Sequence, residues 1–302
     1  MLSIIVCSRN SILPNSFITN IEKTVGVVFE IICIDNSKSE YSIASAYNEG
    51  IKRSKFPYFC FVHDDILFHT QNWGENVIAH LNVPNTGLVG LAGGDAALRV
   101  PYDFGALHPS MNIIHIDKKG IEPTEYVFYP RNYAKSSRSV VLLDGVMICS
   151  KRETFDKIRF DENIGKFHGY DYDIAIQSII AGYYNYVMYD ITMEHYSKGN
   201  MDETYFRTMI KVYKKWENNL PVFEHNISGI EQKVLQPKFE KRSLNKLLKK
   251  LVRAKLKTAE IVEIFTYYTK KTGSKLSILL LIALRIRILI IWITSLIRNK
   301  IK

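Results

Sequence analysis

With 302 residues, 47% of them hydrophobic, 23% charged and 12% aromatic, the chain has the make-up of a folded protein, long enough for one large domain with an appendage or for two modest ones. That composition excludes a disordered, collagen-like or polytopic membrane protein. The net charge of +10 comes from 40 Lys and Arg against 30 Asp and Glu. Seventeen of the basic but only 3 of the acidic residues lie in 238–302, so the basicity belongs to a tail and argues for no nucleic-acid partner.

Three continuously apolar runs open the chain: Ile4-Ile5-Val6-Cys7, Ile31-Ile32-Cys33-Ile34 and Phe59-Cys60-Phe61-Val62. Unbroken hydrophobicity suits strands buried on both faces, as in a parallel sheet. Between the second and third, Ile43, Ala46, Tyr47 and Ile51 recur at helical spacing over 41–54, so the chain begins as βαβαβ. The N-terminal run lacks the basic start and the length of a signal peptide, which places the body in the cytosol. Cys7, Cys33, Cys60 and Cys149 stand far apart, without metal-ligand spacing, and are expected to be buried thiols in a reducing compartment.

Each run ends on a polar triplet: Ser8-Arg9-Asn10, Asp35-Asn36-Ser37 and His63-Asp64-Asp65. The carboxyl ends of strands in an open parallel sheet line one crevice, so the triplets are expected to share a site. Polar strand-to-loop junctions also arise for purely structural reasons. Neither G-x-G-x-x-G nor G-x-x-x-x-G-K-[ST] is present to hold phosphates on backbone N–H groups. Two adjacent carboxylates, Asp64 and Asp65, repel a bare diphosphate but coordinate Mg²⁺ or Mn²⁺, hard cations that bridge to phosphate oxygens.

At this point the sequence resembles the GT-A-fold, inverting family 2 nucleotide-sugar glycosyltransferases, and within them the bacterial glycosyltransferase-like subset. The resemblance spans residues 2–200. Ile31-Ile32-Cys33-Ile34-Asp35-Asn36-Ser37 is similar to the family's second-strand motif, whose acidic residue contacts the nucleotide base. Ala46-Tyr47-Asn48-Glu49-Gly50 is similar to the A-x-N-x-G segment after it. Phe61-Val62-His63-Asp64-Asp65 takes the place of the D-x-D motif, with His63 where the first Asp is usual. Asp144-Gly145-Val146-Met147-Ile148-Cys149-Ser150-Lys151-Arg152 resembles the acceptor-side strand, and Phe160-Asp161-Glu162-Asn163 the turn beyond it. Gly169-Tyr170-Asp171-Tyr172-Asp173 stands where the family has E-D-x-D, with Tyr170 in place of Glu. His195 matches the histidine that closes the domain.

The resemblance implies an α/β, Rossmann-like GT-A fold with a mostly parallel sheet flanked by helices. It implies a metal, Mn²⁺ or Mg²⁺, held by Asp65 and His195, with His63 in a supporting position, and nucleotide binding by Ser8, Arg9, Asp35, Asn48 and Asp64. Asp144 and Gly145 fall on the acceptor side, and Asp171 on the position of the catalytic base. The implied reaction moves a sugar from a nucleotide donor, a UDP-sugar first, to a glycan or lipid-linked acceptor in cell-surface polysaccharide synthesis. An inverting transfer needs a general base on one face of the sugar and charge neutralisation of the leaving diphosphate on the other. A positioned base contributes about 10²–10⁴ in rate. For Asp171 the bland alternative is a cap, because 172–181 reads as a helix closed by Gly182; beside the metal motif it is read as the base, and Asp173 as the cap. A structural role is equally open for His195. The aromatic residues Tyr102, Phe104, Tyr126, Phe128, Tyr129 and Tyr133 either stack on sugar rings or pack a core.

Residues 238–257 place Leu244, Leu247, Leu248, Leu251 and Val252 on one stripe surrounded by lysines, the pattern of a basic amphipathic helix. Residues 276–297 carry 15 Leu and Ile, interrupted by Arg285 and Arg287. Their insertion is worth about −5 to −9 kcal/mol against about +5 to +7 for two central arginines, so spanning, lying in one leaflet and packing against a partner all stay open, as does a self-associating or ordinary C-terminal helix. The expected organisation is a GT-A domain over 1–237 and a helical membrane-association tail over 238–302, peripheral or monotopic on the cytoplasmic face of the inner (plasma) membrane. Two rivals remain: a catalytically silent carbohydrate-binding or membrane scaffold protein of the same fold, and a sugar nucleotidyltransferase, which would want a Gly-rich basic loop after the first strand.

Overall fold

A computed structural model describes residues 1–101, 108–116, 136–196, 201–254 and 256–273, the backbone of 124–128, and residues 286, 289 and 290. In chain order the elements are β1 (Leu2–Ser8), α1 (Asn15–Thr24), β2 (Phe29–Asp35), α2 (Ile43–Arg53), β3 (Tyr58–Val62), β4 (Ile66–Phe68), α3 (Trp73–Leu81) and β5 (Thr86–Gly90). Then come β6 (Ala92–Gly94), β7 (Ala96–Ala97), β8 (Pro109–His115), β9 (Thr124–Phe128), β10 (Ser137–Val140), β11 (Leu142–Leu143) and β12 (Met147–Lys151). The chain continues through α4 (Tyr170–Ile180), β13 (Tyr184–Met188), β14 (Met193–His195), α5 (Glu203–Lys215), β15 (Val222–Phe223), α6 (Gly229–Arg253) and α7 (Thr258–Lys271).

The three opening runs form β1, β2 and β3, with β1 paired in parallel to both others. Both faces of β1 are covered. Leu2, Ile4 and Val6 pack with Phe17 and Ile21 of α1 and Trp73 and Val77 of α3. Ile5, pointing the opposite way, packs with Tyr47 of α2, Phe59 and Phe61 of β3 and Ile174 of α4. Period-two alternation over a strand buried on both sides explains why the sequence shows an unbroken apolar run. Ser42 starts α2 through a capping box with Ser45.

The seven-stranded main sheet runs β10-β13-β5-β12-β3-β1-β2. It is mixed rather than mostly parallel: β12 lies antiparallel to both β3 and β5, and β10 antiparallel to β13. A second sheet, β11-β6-β8-β14-β4 with β9 beside β8, lies next to the first. It brings β14 against β4, opposing His195 to Ile66, and this register delivers His195 to Asp65.

The C-terminal helices belong to the same body. Helix α6 is 25 residues long and continues through Pro237, so the expected boundary after residue 237 falls inside it. Leu244, Leu247, Leu248 and Leu251 do form one stripe, but it is buried against Phe206 and Ile210 of α5 and Ile261, Phe265 and Tyr268 of α7. The amphipathic pattern therefore reports packing within the chain rather than a face free to enter a bilayer. Glu240, 1% exposed, accepts from Arg99 Nε and Nη2 at 2.9 and 2.7 Å, and Arg99 Nη1 donates to the Lys271 carbonyl, tying both helices to the segment after β7. Among the described residues no helix is long and apolar enough to cross a membrane. The 276–297 segment, apart from residues 286, 289 and 290, lies outside the described residues, as do Tyr102, Phe104, Tyr129, Tyr133 and the side chains of Tyr126 and Phe128.

Candidate active site

The ends of β1, β2 and β3 open on one cleft of about 400 Å³, bordered by Arg9, Asn10, Asn36, Tyr47, His63, Asp64, Asp65 and Tyr170. At its floor His63 Nδ1, Asp65 Oδ1 and His195 Nε2 converge. The nitrogens are 3.4 Å apart, and Asp65 Oδ1 lies 3.4 Å from His195 Nε2 and 3.9 Å from His63 Nδ1. Three donors each about 2.1 Å from one ion lie within about 4.2 Å of one another, and these do. Two imidazoles and one carboxylate suit a first-row transition cation better than hard Mg²⁺. Burial, and then the neighbouring His195, hold the His63 imidazolium below its usual range, which keeps a ring nitrogen unprotonated for a metal. The histidine that stands where an aspartate is usual thus joins the cluster directly. The resemblance pointed only to Asp65 and His195 as ligands; the local clue was that His63 alternates with Asp65 along one strand exit.

Beside these three atoms stands the start of α4. Gly169, with φ +78°, turns the chain into the helix in a conformation that suits glycine. Tyr170 then reaches back to Gly145: its hydroxyl donates to the Gly145 carbonyl at 3.2 Å and lies 3.3 Å from His63 Nε2. Asp171 Oδ2 accepts from the Gly145 N–H at 3.2 Å, so Asp144, Gly145 and Asp171 come together as the sequence places them. Burial, and next the Asp144 carboxylate, raise the Asp171 carboxyl to about 7, against the pull of nearby backbone N–H groups. A carboxylate poised near neutrality has the strength a general base needs at cellular pH.

Other expected residues are distributed differently. The Ser8 hydroxyl donates to Asp64 Oδ2, and the Arg9 guanidinium lies 4.9 Å above the Phe167 ring at the cleft rim. Asp35 is exposed at the end of β2, where it accepts from Ser37 N; the neighbouring Asn36 borders the cleft instead. Asn48 does not face the cleft. Its amide donates to the Phe160 carbonyl and to Glu162, so it braces the turn before α4. Nor does Asp173 cap α4: wholly buried, it accepts from Trp216 Nε1, Lys215 Nζ and Gln177 Nε2 and pins α4 to α5. Cys60 and Cys149 are buried as expected, whereas Cys7 and Cys33 are only partly so, and Cys7 lines the cleft.

Residues 3–213 match the model of the glycosyltransferase-like family. The chain belongs to this family. Among solved structures, the crystal structure of GalNAc-T7 with UDP, GalNAc and Mn²⁺ superposes with a TM-score of 0.50 at 11% identity, over 89% of this chain and 56% of that one. This likeness supports the GT-A fold, and the chain spans little more than half the length of that relative. A197 from STIV aligns at a TM-score of 0.39 and 14% identity, over 65% of this chain and 86% of that one. No relative among curated proteins matches the sequence. Membership gives the chain a glycosyltransferase-like domain.

Proposed function

We propose that the protein is a metal-dependent glycosyltransferase that moves a sugar from a UDP-sugar to a glycan or lipid-linked acceptor with inversion at the anomeric carbon, in cell-surface polysaccharide synthesis. The observation that carries this reading is the convergence of His195 with His63 and Asp65, which line a cleft that also receives the ends of β1 and β2, with Asp171 next in the chain to Tyr170 of the cleft wall. A cation held by those three residues, Mn²⁺ before Mg²⁺, would neutralise the charge that develops on the leaving diphosphate. Ser8 orients Asp64, Arg9 offers its guanidinium to a phosphate or the base, and Asn36 borders the cleft at the end of β2 where Asp35 was expected. Asp171 takes the proton from the acceptor hydroxyl, and the Gly145 N–H holds its carboxylate in place. UDP crystallised with Mn²⁺ in the GalNAc-T7 structure lends weight to this donor and metal.

The test is Mn²⁺-dependent release of UDP from a panel of UDP-sugars. Turnover that Asp65→Ala abolishes supports the proposal; binding without turnover in every case means a silent carbohydrate-binding module. The anomeric configuration of the product, read from its NMR coupling constant, decides inversion.

Membrane attachment is also part of the proposal, by a different face from the leucine stripe. Lys238, Lys241, Arg242, Lys249 and Arg253 are exposed along the outer side of α6, and on its first two turns Ile230 and Val234 are 78% and 66% exposed. Each basic residue near an anionic leaflet gains about 1 kcal/mol, so this side suits peripheral contact with the cytoplasmic face of the inner membrane.

A further inference from the structure

Two departures from the family's motifs, His63 for aspartate and Tyr170 for glutamate, are 107 positions apart and touch. The Tyr170 hydroxyl has one proton, and two neighbours other than His63 can take it, the Gly145 carbonyl at 3.2 Å and the Tyr47 hydroxyl. Towards His63 Nε2, 3.3 Å away, the hydroxyl oxygen then presents lone pairs, and the contact is satisfied when Nε2 carries the ring hydrogen. A neutral imidazole has a single N–H. His63 Nδ1, on the side of His195 and Asp65, is therefore left with its lone pair directed at the cluster.

We propose that Tyr170 is a positioning residue that fixes the tautomer and ring orientation of His63 and so makes it a metal ligand; this rests on the metal-dependent reading above. Gly145 is built for the contact. A Cβ there would lie 2.1 Å from the Tyr170 hydroxyl oxygen and 2.6 Å from Cζ, so any side chain would expel the ring. The tyrosine is held on its other sides by Tyr47 and Phe160, with ring centroids 5.7 and 6.3 Å away. The usual glutamate, when ionised, would set a second acceptor against the Gly145 carbonyl and could not complete the chain of hydrogen bonds. The two substitutions thus compensate each other: histidine supplies the ligand, and tyrosine orients it.

Tyr170→Phe removes only the hydroxyl and keeps the packed ring. Two readouts are taken on the 302-residue chain: the His63 tautomer from ¹⁵N-histidine NMR of metal-free protein, assigned by the signal missing in His63→Gln, and Mn²⁺ affinity from the EPR signal of free Mn²⁺. The expected results are an Nε2–H tautomer in the wild type that becomes mixed in Tyr170→Phe, and a 10–100-fold loss of Mn²⁺ affinity in a chain that still melts cooperatively, the usual cost of losing such an outer partner. An Nδ1–H tautomer in the wild type, or Mn²⁺ affinity unchanged in Tyr170→Phe, overturns the proposal. A wild type that fails to bind Mn²⁺ overturns the metal reading of the site instead, and the NMR spectra then decide the positioning role alone.

Discussion

Replacing Asp144 with asparagine removes the like charge that is, after burial, the main reason the Asp171 carboxyl stands at about 7 rather than 3.8. The direction follows at once. Asp171 must be ionised to accept a proton, so wild-type turnover should rise with pH through about 7 and level off above it. With a value near 7, about a tenth of the molecules carry the base form at pH 6, and about nine tenths at pH 8. Taking the loss of one neighbouring carboxylate as about one pH unit, Asp144→Asn raises the fraction at pH 6 to about a half. Relative to its own plateau, the variant therefore gains about fivefold at pH 6 and almost nothing at pH 8. The plateau itself is free to fall, because the Asp144 carboxylate also accepts from the Val146 N–H at 2.9 Å; the midpoint of the acid limb is the quantity to read, from kcat/KM between pH 5 and 9 at saturating Mn²⁺. A midpoint that stays put or moves upward would refute the reasoning, since it would mean that Asp144 does not set the proton affinity of the base, or that Asp171 is not the group being titrated.

The same displaced group has a stability consequence of fixed sign. Its folded-state value lies above the unfolded one, so its contribution to stability is fully present below about pH 4 and lost as pH rises through about 7. Asp171→Asn should accordingly raise the melting temperature more at pH 8 than at pH 5 while abolishing turnover, and scanning calorimetry at the two pH values checks this. Replacing Lys238, Lys241, Arg242, Lys249 and Arg253 with glutamine should release the chain from phosphatidylglycerol vesicles in flotation without altering its folding. Equal flotation of this variant and the wild type would show that α6 is not the contact.

Much of the site could be read along the chain because its parts lie at strand exits, where polar residues interrupt apolar runs. Ser8, Asn36 and the His63–Asp65 triplet were brought together by the parallel pairing of β1 with β2 and β3, which their unbroken hydrophobicity had indicated. Illegible were features set by partners distant in sequence. Asn48 sits in a recognisable segment, but its amide is spent on Phe160 and Glu162, more than a hundred positions away. Asp173 has the right place for a cap, yet Lys215 and Trp216 of α5 claim it. The α6 stripe has the periodicity of a membrane-lying helix, and only the presence of α7 and α5 beside it reveals which apolar surface it covers. His63 broke a known motif, so its place in the cluster became visible only when the β4–β14 register placed His195 within 3.4 Å of it.

Everything about the chemistry rests on a single cation under the leaving diphosphate. Crystals grown with UDP and Mn²⁺, measured at the manganese absorption edge, test it most directly. The account predicts one strong anomalous peak bounded by His63 Nδ1, Asp65 Oδ1 and His195 Nε2 and in contact with diphosphate oxygens. UDP bound in the cleft with no peak at that position would contradict it.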